Sequence, residues 1–212
     1  DPKNQKENRM NENLQNLCNR YMDYILEQLN ALLAIDSPTG YTRQVSDYLA
    51  AEYTRLGYAP RLTRKGGVLV DLGGSGNAAL VMAHVDTLGA MVAEVKDNGR
   101  LRLTPLGGLN ANNVETENCT LRTLDGRSYE GTIQLMDASL HVNGKYQETG
   151  RSFETIELLL DEPVRSKEEV LALGITNGSY VCISPRTRIT DSGYIKSRFL
   201  DDKLSTAILL GY

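Results

Sequence analysis

Apolar residues recur at helical spacing up to about residue 57, give way to short strand-like runs between residues 90 and 190, and return to helical spacing near residue 200. A change of period from 3.6 to 2 and back is a statement about layers: one face of a helix and one face of a strand are buried by different partners. From Asn13 to Ala34 the apolar positions are Leu14, Leu17, Cys18, Tyr21, Ile25, Leu29, Leu32 and Leu33, in steps that mark an amphipathic helix. Residues 1–12 are polar and are expected to fray. Ser37-Pro38-Thr39-Gly40 breaks the helix. A second helix should follow, with Val45, Tyr48, Leu49, Tyr53 and Leu56 inward and Gly57 as its left-handed terminator.

Strand patterns come next. Arg61–Thr63 and Val68–Leu72 flank Lys65-Gly66-Gly67 and read as a hairpin or a tight connection. After the loop Gly73-Gly74-Ser75-Gly76-Asn77, the unbroken apolar run Ala78–Ala83 suits a central strand buried on both faces. Two helices followed by this strand suggest an α/β layer. Beyond it, Met91–Val95, Leu101–Thr104, Cys119–Thr123, Thr132–Leu135, Thr155–Leu160 and Tyr180–Ser184 are strand candidates. Asn98-Gly99 and Asp125-Gly126 sit between them as hairpin signals. Ser166-Lys167-Glu168-Glu169 is a capping box for one short helix closed by Gly174. The expected organisation is an α/β domain formed by residues 1–89 and 191–212, interrupted by a small β-barrel-like domain at 90–190.

Charge and composition narrow the function classes. Lys plus Arg is 23 against 27 Asp plus Glu, a net charge of −4, so no basic face for nucleic acid is implied. No apolar run approaches the roughly 20 residues of a membrane span, and the polar N-terminus lacks the apolar core of a signal peptide. Cys18, Cys119 and Cys182 are dispersed without a Cys-x-x-Cys pair, which suggests reduced thiols and a cytoplasmic protein. With His84 and His141 as its two histidines, the chain alone cannot build a His-rich metal site.

Two places could carry chemistry. His84 follows the strand candidate and Asp86 lies two residues on, so an extended chain turns both to one side. A histidine at a strand's carboxyl end can bind a metal while a carboxylate orients its ring; a hydrogen-bonded histidine beside a turn aspartate is the plainer alternative. Asp201 and Asp202 open a stretch with Leu204, Ala207 and Ile208 at helical spacing. They suit helix capping, yet two adjacent acids exceed what one cap needs, and a carboxylate can bridge two divalent cations. The Gly73–Gly76 loop precedes a strand and lacks a following Lys-Ser/Thr, so it reads as a turn rather than a phosphate cradle. His141 reads as a surface histidine and Cys182 as a packed apolar residue. No Gly-x-Ser-x-Gly elbow is present, and Ser37 has no identifiable histidine partner.

Taken in order, three segments resemble the glutamyl-aminopeptidase-like, tetrahedral-assembly (TET-type) metallopeptidases within the wider dinuclear zinc exopeptidases. They are Ser37-Pro38-Thr39-Gly40 after the early helix, Ala83-His84-Val85-Asp86-Thr87-Leu88-Gly89, and Ser197-Arg198-Phe199-Leu200-Asp201-Asp202-Lys203. The β-rich segment with Leu173-Gly174-Ile175 falls where that family inserts a β-barrel. The resemblance implies a zinc-exopeptidase-like α/β catalytic domain, incomplete here because the Glu-Glu pair, Asp and final His that follow in the family have no match after Asp201. It implies two divalent ions, zinc or cobalt, with His84 a ligand of one, Asp201 bridging both and Asp86 orienting His84. It further implies a cytoplasmic aminopeptidase of peptides, without nucleic-acid or membrane partners, self-associating as anything from a dimer to a dodecamer. The 212 residues alone are then expected to be inactive. A deacylase of the same superfamily and a non-catalytic assembly subunit are the alternatives; the β insert between His84 and Asp201 favours the aminopeptidase. A glucanase, which needs two acids flanking a sugar bond, finds no such pair here.

Overall fold

The computed structural model describes residues 2–212, with the side chains of residues 2–11, 13, 17 and 18 outside the description. The expected stripe positions Leu17 and Cys18 fall among these. The chain divides into two units. One comprises residues up to Ile35, Gln44–Val85 and Thr187–Tyr212; the other comprises Asp36–Arg43 and Asp86–Arg186.

The first unit holds three helices and two small sheets. Helix α1 spans Pro2–Ala34 and α2 spans Arg43–Arg55. The polar residues 2–12 continue α1 rather than fraying, in keeping with Pro2 at the first helical position and no Gly or Pro up to Ala34. Helix α2 ends in a Schellman turn: Gly57 has φ +93°, Tyr58 N–H donates to Tyr53 O at 3.0 Å, and Gly57 N–H donates to Thr54 O at 3.0 Å. Strands β1 (Arg61–Leu62) and β2 (Val68–Leu69) form the expected antiparallel hairpin. Leu29, Leu32 and Leu33 of α1 pack with Val45 and Leu49 of α2 and with Ala207 and Leu210 near the C-terminus.

The run 78–83 departs from expectation. It pairs with no strand among the described residues, and Leu80, Val81 and Met82 are 73%, 68% and 78% exposed. A strand buried on both faces needs neighbours on both edges and a layer on each side. Its composition supplies the apolar half of that requirement and cannot supply the partners.

Within this unit, Glu52 of α2 is buried and accepts hydrogen bonds from Arg55 Nη2 (2.6 Å) and Tyr24 Oη (2.6 Å). The Arg55 guanidinium, then Tyr24, holds the Glu52 carboxyl below its ordinary range, against the opposing effect of burial. A depressed folded-state pKa stabilises the fold above the unfolded value, near 4.3, and the contribution disappears as pH falls through the folded value. Glu52→Gln should therefore lower the urea midpoint of helix unfolding at pH 7, and the difference from the parent should shrink as pH falls below the ordinary carboxylate range. An undiminished difference in acid would show that the charge is not the source.

The second unit is a closed antiparallel barrel. Its strands are β3 (Gly89–Val95), β4 (Leu101–Leu106), β5 (Asn118–Arg122), β6 (Ser128–Leu135), β7 (Ile156–Leu160) and β8 (Tyr180–Ile183), in the order β3-β4-β7-β6-β5-β8. Alternation fills the interior: Ala90, Val92, Leu101, Leu103, Cys119, Leu121, Ile133, Leu135, Ile156, Leu158, Val181 and Ile183 are buried. The register shift between Val92 and Glu94 resets the alternation of β3, so that Val95 is buried and Glu94 is exposed. Gly131 is required by its surroundings, since a Cβ there would lie 2.3 Å from Leu159 O. The Asn98-Gly99 and Asp125-Gly126 turns join β3 to β4 and β5 to β6. Helix α3 (Lys167–Ala172) has the anticipated capping box between Ser166 and Glu169. Closure removes the exposed sheet edges that six short strands would otherwise present. Back in the first unit, β9 (Arg188–Ile189) pairs with β10 (Ile195–Lys196), and α4 spans Leu200–Gly211.

A candidate metal centre

Helix α4 begins irregularly. Phe199 has φ +65°, the Asp201–Asp202 peptide is cis, and Asp201 (φ −85°, ψ 104°) and Asp202 (φ −127°, ψ 27°) lie outside the helical region. The regular part starts at Lys203. Its buried stripe is Lys203, Thr206, Ala207 and Leu210, while Ile208 is exposed. The inward face is thus turned one residue from the one suggested by Leu204 and Ile208, and it carries a lysine. Lys203 Nζ donates to Leu32 O (2.7 Å) and Ile35 O (2.8 Å), carbonyls at the C-terminal end of α1. It anchors the start of α4 to the negative end of another helix dipole.

This anchoring leaves Asp201 projecting. Asp201 Oδ1 lies 3.1 Å from His84 Nε2, across 117 residues of sequence, and the two side chains are 94% and 54% exposed. An ion pair this exposed contributes little to stability. The stretch behind His84 is fixed instead by Val85, which packs on the helical core, and by Thr206 Oγ1, which lies 3.3 Å from both His84 O and Asp202 O. Phe199 at the N-cap position offers no side-chain hydrogen bond to the helix, and the Asp201 carboxylate lies against the histidine.

The separation can be compared with what a metal ion requires. Nitrogen and oxygen donors about 2.0–2.2 Å from one ion, at angles between octahedral and tetrahedral, stand about 2.9–3.5 Å apart. The His84–Asp201 distance falls inside that interval, and a mixed imidazole–carboxylate pair suits zinc or cobalt. The two donors fit such an ion but do not complete its shell: among the described residues no group of three or more His, Cys, Asp or Glu side chains is placed to hold a metal.

Asp86 belongs to the barrel unit, where its Oδ2 accepts a hydrogen bond from Thr39 Oγ1 at 2.8 Å. His141 is exposed on the connection between β6 and β7. Cys119 and Cys182 are buried and not disulfide-bonded, and burial pushes Cys119 up to about 12, which removes it as a nucleophile at neutral pH. Lys203, Thr206 and Thr39 escaped the reading of the sequence. For the first two a signal existed: positions 203, 206, 207 and 210 follow the i, i+3, i+4, i+7 rule of a buried stripe. Thr39 stood in the Ser37–Gly40 segment that resembles the family, with no role attached to it.

Among the described residues no helix is long and apolar enough to cross a membrane. The chain spans about half the length of the curated relatives it matches. It is 41% identical over 187 residues to the candidate aminopeptidase YhfE of Bacillus subtilis (strain 168), covering 87% of this chain and 54% of that protein. It is 27% identical to the glutamyl aminopeptidase of Lactococcus lactis subsp. cremoris (strain MG1363), covering 88% and 53%. Among solved structures, aminopeptidase APDkam598 from the archaeon Desulfurococcus kamchatkensis superposes with a TM-score of 0.77 at 26% identity, over 90% of this chain and 51% of the other. The TET1 peptidase of Pyrococcus horikoshii, which can assemble into a tetrahedron or a large octahedral shell, shares the fold with a TM-score of 0.75 at 21% identity, over 88% and 54%. The M42 glutamyl aminopeptidase profile matches residues 66–212, a span that contains the barrel, His84, Asp86 and Asp201, and the chain belongs to that family.

Proposed function

We propose that this chain is the metal-binding and assembly part of a metal-dependent aminopeptidase that removes residues from peptide N-termini. His84 and Asp201 hold the metal and Asp86 orients His84. The observation that carries the reading is the approach of His84 Nε2 and Asp201 Oδ1 to 3.1 Å across 117 residues, at a separation suited to two donors of one divalent ion. The family supplies the reaction class.

When bound, the divalent ions supply Lewis acidity towards the scissile carbonyl and an acidified water. The chain's own part is to place donors. His84 offers an imidazole nitrogen, and Thr206 and Val85 restrain the backbone that carries it. Asp201 offers two oxygens on one carboxylate, which permits a bridge between two ions, zinc or cobalt. The buried Lys203 anchor limits how far that carboxylate can swing. In this reading the Asp86 carboxylate would accept a hydrogen bond from the His84 ring and favour one of its tautomers. No Glu-Glu pair follows Asp201 in this sequence, so the 212 residues carry neither the family's general base nor a full donor set. We assign the barrel unit to self-association, from dimer to dodecamer, and the protein to the cytoplasm.

The test is metal-dependent turnover. In a protein of the relatives' full length carrying this sequence, cleavage of aminoacyl-nitroanilides should vanish with EDTA and return with zinc or cobalt. His84→Ala should stay inactive at every metal concentration. The 212-residue chain alone should show negligible cleavage. EDTA-resistant activity, or robust turnover by the short chain, would contradict the proposal.

A further inference from the structure

The barrel unit holds three Asn-Gly pairs: Asn98-Gly99, Asn143-Gly144 and Asn177-Gly178. An asparagine before glycine is open to attack by the glycine's own backbone nitrogen, because no Cβ obstructs the approach. The structure separates the three. Gly99 is buried, its N–H donates to Lys96 O at 2.9 Å, and a Cβ there would lie 3.2 Å from Ser166 N. Gly178 is half-buried, and its N–H donates to Val92 O of β3 at 2.9 Å. Gly144, on the connection of residues 136–155 between β6 and β7, is exposed. Nothing lies within 4 Å of the position its Cβ would take, and its N–H has no hydrogen-bond partner among the described residues. Asn143 Oδ1 accepts from Lys145 N–H at 3.0 Å, and its Nδ2 donates to Asp137 O at 2.9 Å. Asn98 Oδ1 likewise accepts from Arg100 N–H at 3.1 Å, so the glycine nitrogen is what distinguishes these two sites.

We propose that Asn143 is a site of spontaneous deamidation, with the Gly144 backbone nitrogen as nucleophile and water as co-reactant. Solvent hydroxide removes the Gly144 amide proton, and the nitrogen attacks Asn143 Cγ. The new N–Cγ bond closes a five-membered succinimide, and the side-chain nitrogen leaves as ammonia with a proton from water. Water then opens the ring at either carbonyl, giving aspartate or isoaspartate. The sum is one water consumed and one ammonia released, with nothing oxidised or reduced. Lys145 N–H donates to the oxygen on which negative charge develops during the attack. At Gly99 and Gly178 the nitrogen must first leave its carbonyl, and burial opposes the charge of the deprotonated amide. Together these favour Asn143 by at least about tenfold. Neither the metal nor the peptidase reaction takes part. The product has a local consequence. A carboxylate has no proton to donate to Asp137 O, so that bond is lost and two acceptors face each other. A negative charge also appears next to Val142, which is 85% exposed.

The test follows the three sites in one sample. The folded chain is incubated in mildly alkaline buffer, then mapped by proteolysis and mass spectrometry. The amide-to-acid mass change should accumulate at Asn143 at least about tenfold faster than at Asn98 or Asn177. An isoaspartyl methyltransferase should label the same peptide. Gly144→Ala is compatible with the fold, since Gly144 lies outside the left-handed region and has open space around it, and it should slow the reaction well below the parent rate. In urea, where no native bond protects the other two glycines, the rates at the three sites should converge. Equal rates in the folded chain, or a faster reaction at Asn98 or Asn177, overturn the proposal. So does an Asn143 rate that Gly144→Ala leaves unchanged. A preference for Asn143 that persists undiminished in urea overturns it as well, because the cause would then lie in the neighbouring sequence and not in the fold.

Discussion

Lys203→Met should lower the stability of the helical unit by about 3 kcal/mol, over a hundredfold in the folded-to-unfolded ratio. Lys203 is 1% exposed, and its ammonium donates to Leu32 O and Ile35 O. Those carbonyls lie where α1 ends, at the negative end of its dipole, and Leu32 O also accepts from Ile35 N–H at 3.2 Å. Methionine matches the length and apolar volume of the lysine stem and offers no donor. It therefore takes a charged donor from both carbonyls and leaves Leu32 O with the bond from Ile35 N–H alone, a loss of about 1.5–3 kcal/mol for the charge-assisted bonds. Lys203→Arg keeps the charge but brings a larger planar group into a closed space, so it should rank between methionine and the parent. Urea unfolding followed at 222 nm reports mainly α1, α2 and α4, and hydrogen exchange of barrel amides should be unchanged. A loss below about 1 kcal/mol would mean that the ammonium contributes no more than its apolar stem.

The barrel has its own buried charge, and here the two sides of an ion pair should differ. Glu157 on β7 is 2% exposed, while its partners Lys96 and Arg100 are 24% and 37% exposed. Lys96 Nζ donates to Glu157 Oε2 at 3.0 Å, and Arg100 Nη1 bonds the other oxygen. Removing the carboxylate with Glu157→Gln leaves two cations that can turn to water, and should cost about 2 kcal/mol. Removing both cations with Lys96→Met and Arg100→Met strands a buried anion and should cost about 4–5 kcal/mol. Denaturant unfolding of the three proteins, followed by barrel amide exchange, tests the order. Equal losses, or a larger loss for Glu157→Gln, would show that the burial of the anion does not set the cost.

These effects mark where local sequence carries the fold and where it does not. The six barrel strands were legible because alternation, Asn-Gly and Asp-Gly turns and a capping box are written within a few residues of where they act. The reset of β3 after Val92 was not, since a bulge depends on the partner strand's register. Residues 78–83 show the converse: Leu80, Val81 and Met82 have the composition of a buried strand, but a strand exists only by pairing, and none pairs with them among the described residues. Lys203 hid because a charged residue between apolar ones reads as solvent-facing until the stripe is counted. The centre itself is beyond spacing altogether. His84 meets Asp201 across 117 residues, and Thr39 meets Asp86 across 47. Only the resemblance of separate segments to a family pointed to the first pair; it contained both members of the second, and nothing in the sequence paired them.

The central claim is that His84 and Asp201 are donors to one metal ion. Crystals of the protein soaked in zinc, with diffraction recorded on either side of the zinc absorption edge, locate the ion without reference to activity. The account predicts an anomalous peak within about 2.3 Å of both a His84 ring nitrogen and an Asp201 carboxylate oxygen, lost in His84→Ala. Zinc bound elsewhere, for instance at His141, with His84 and Asp201 left in contact only with each other, would contradict it.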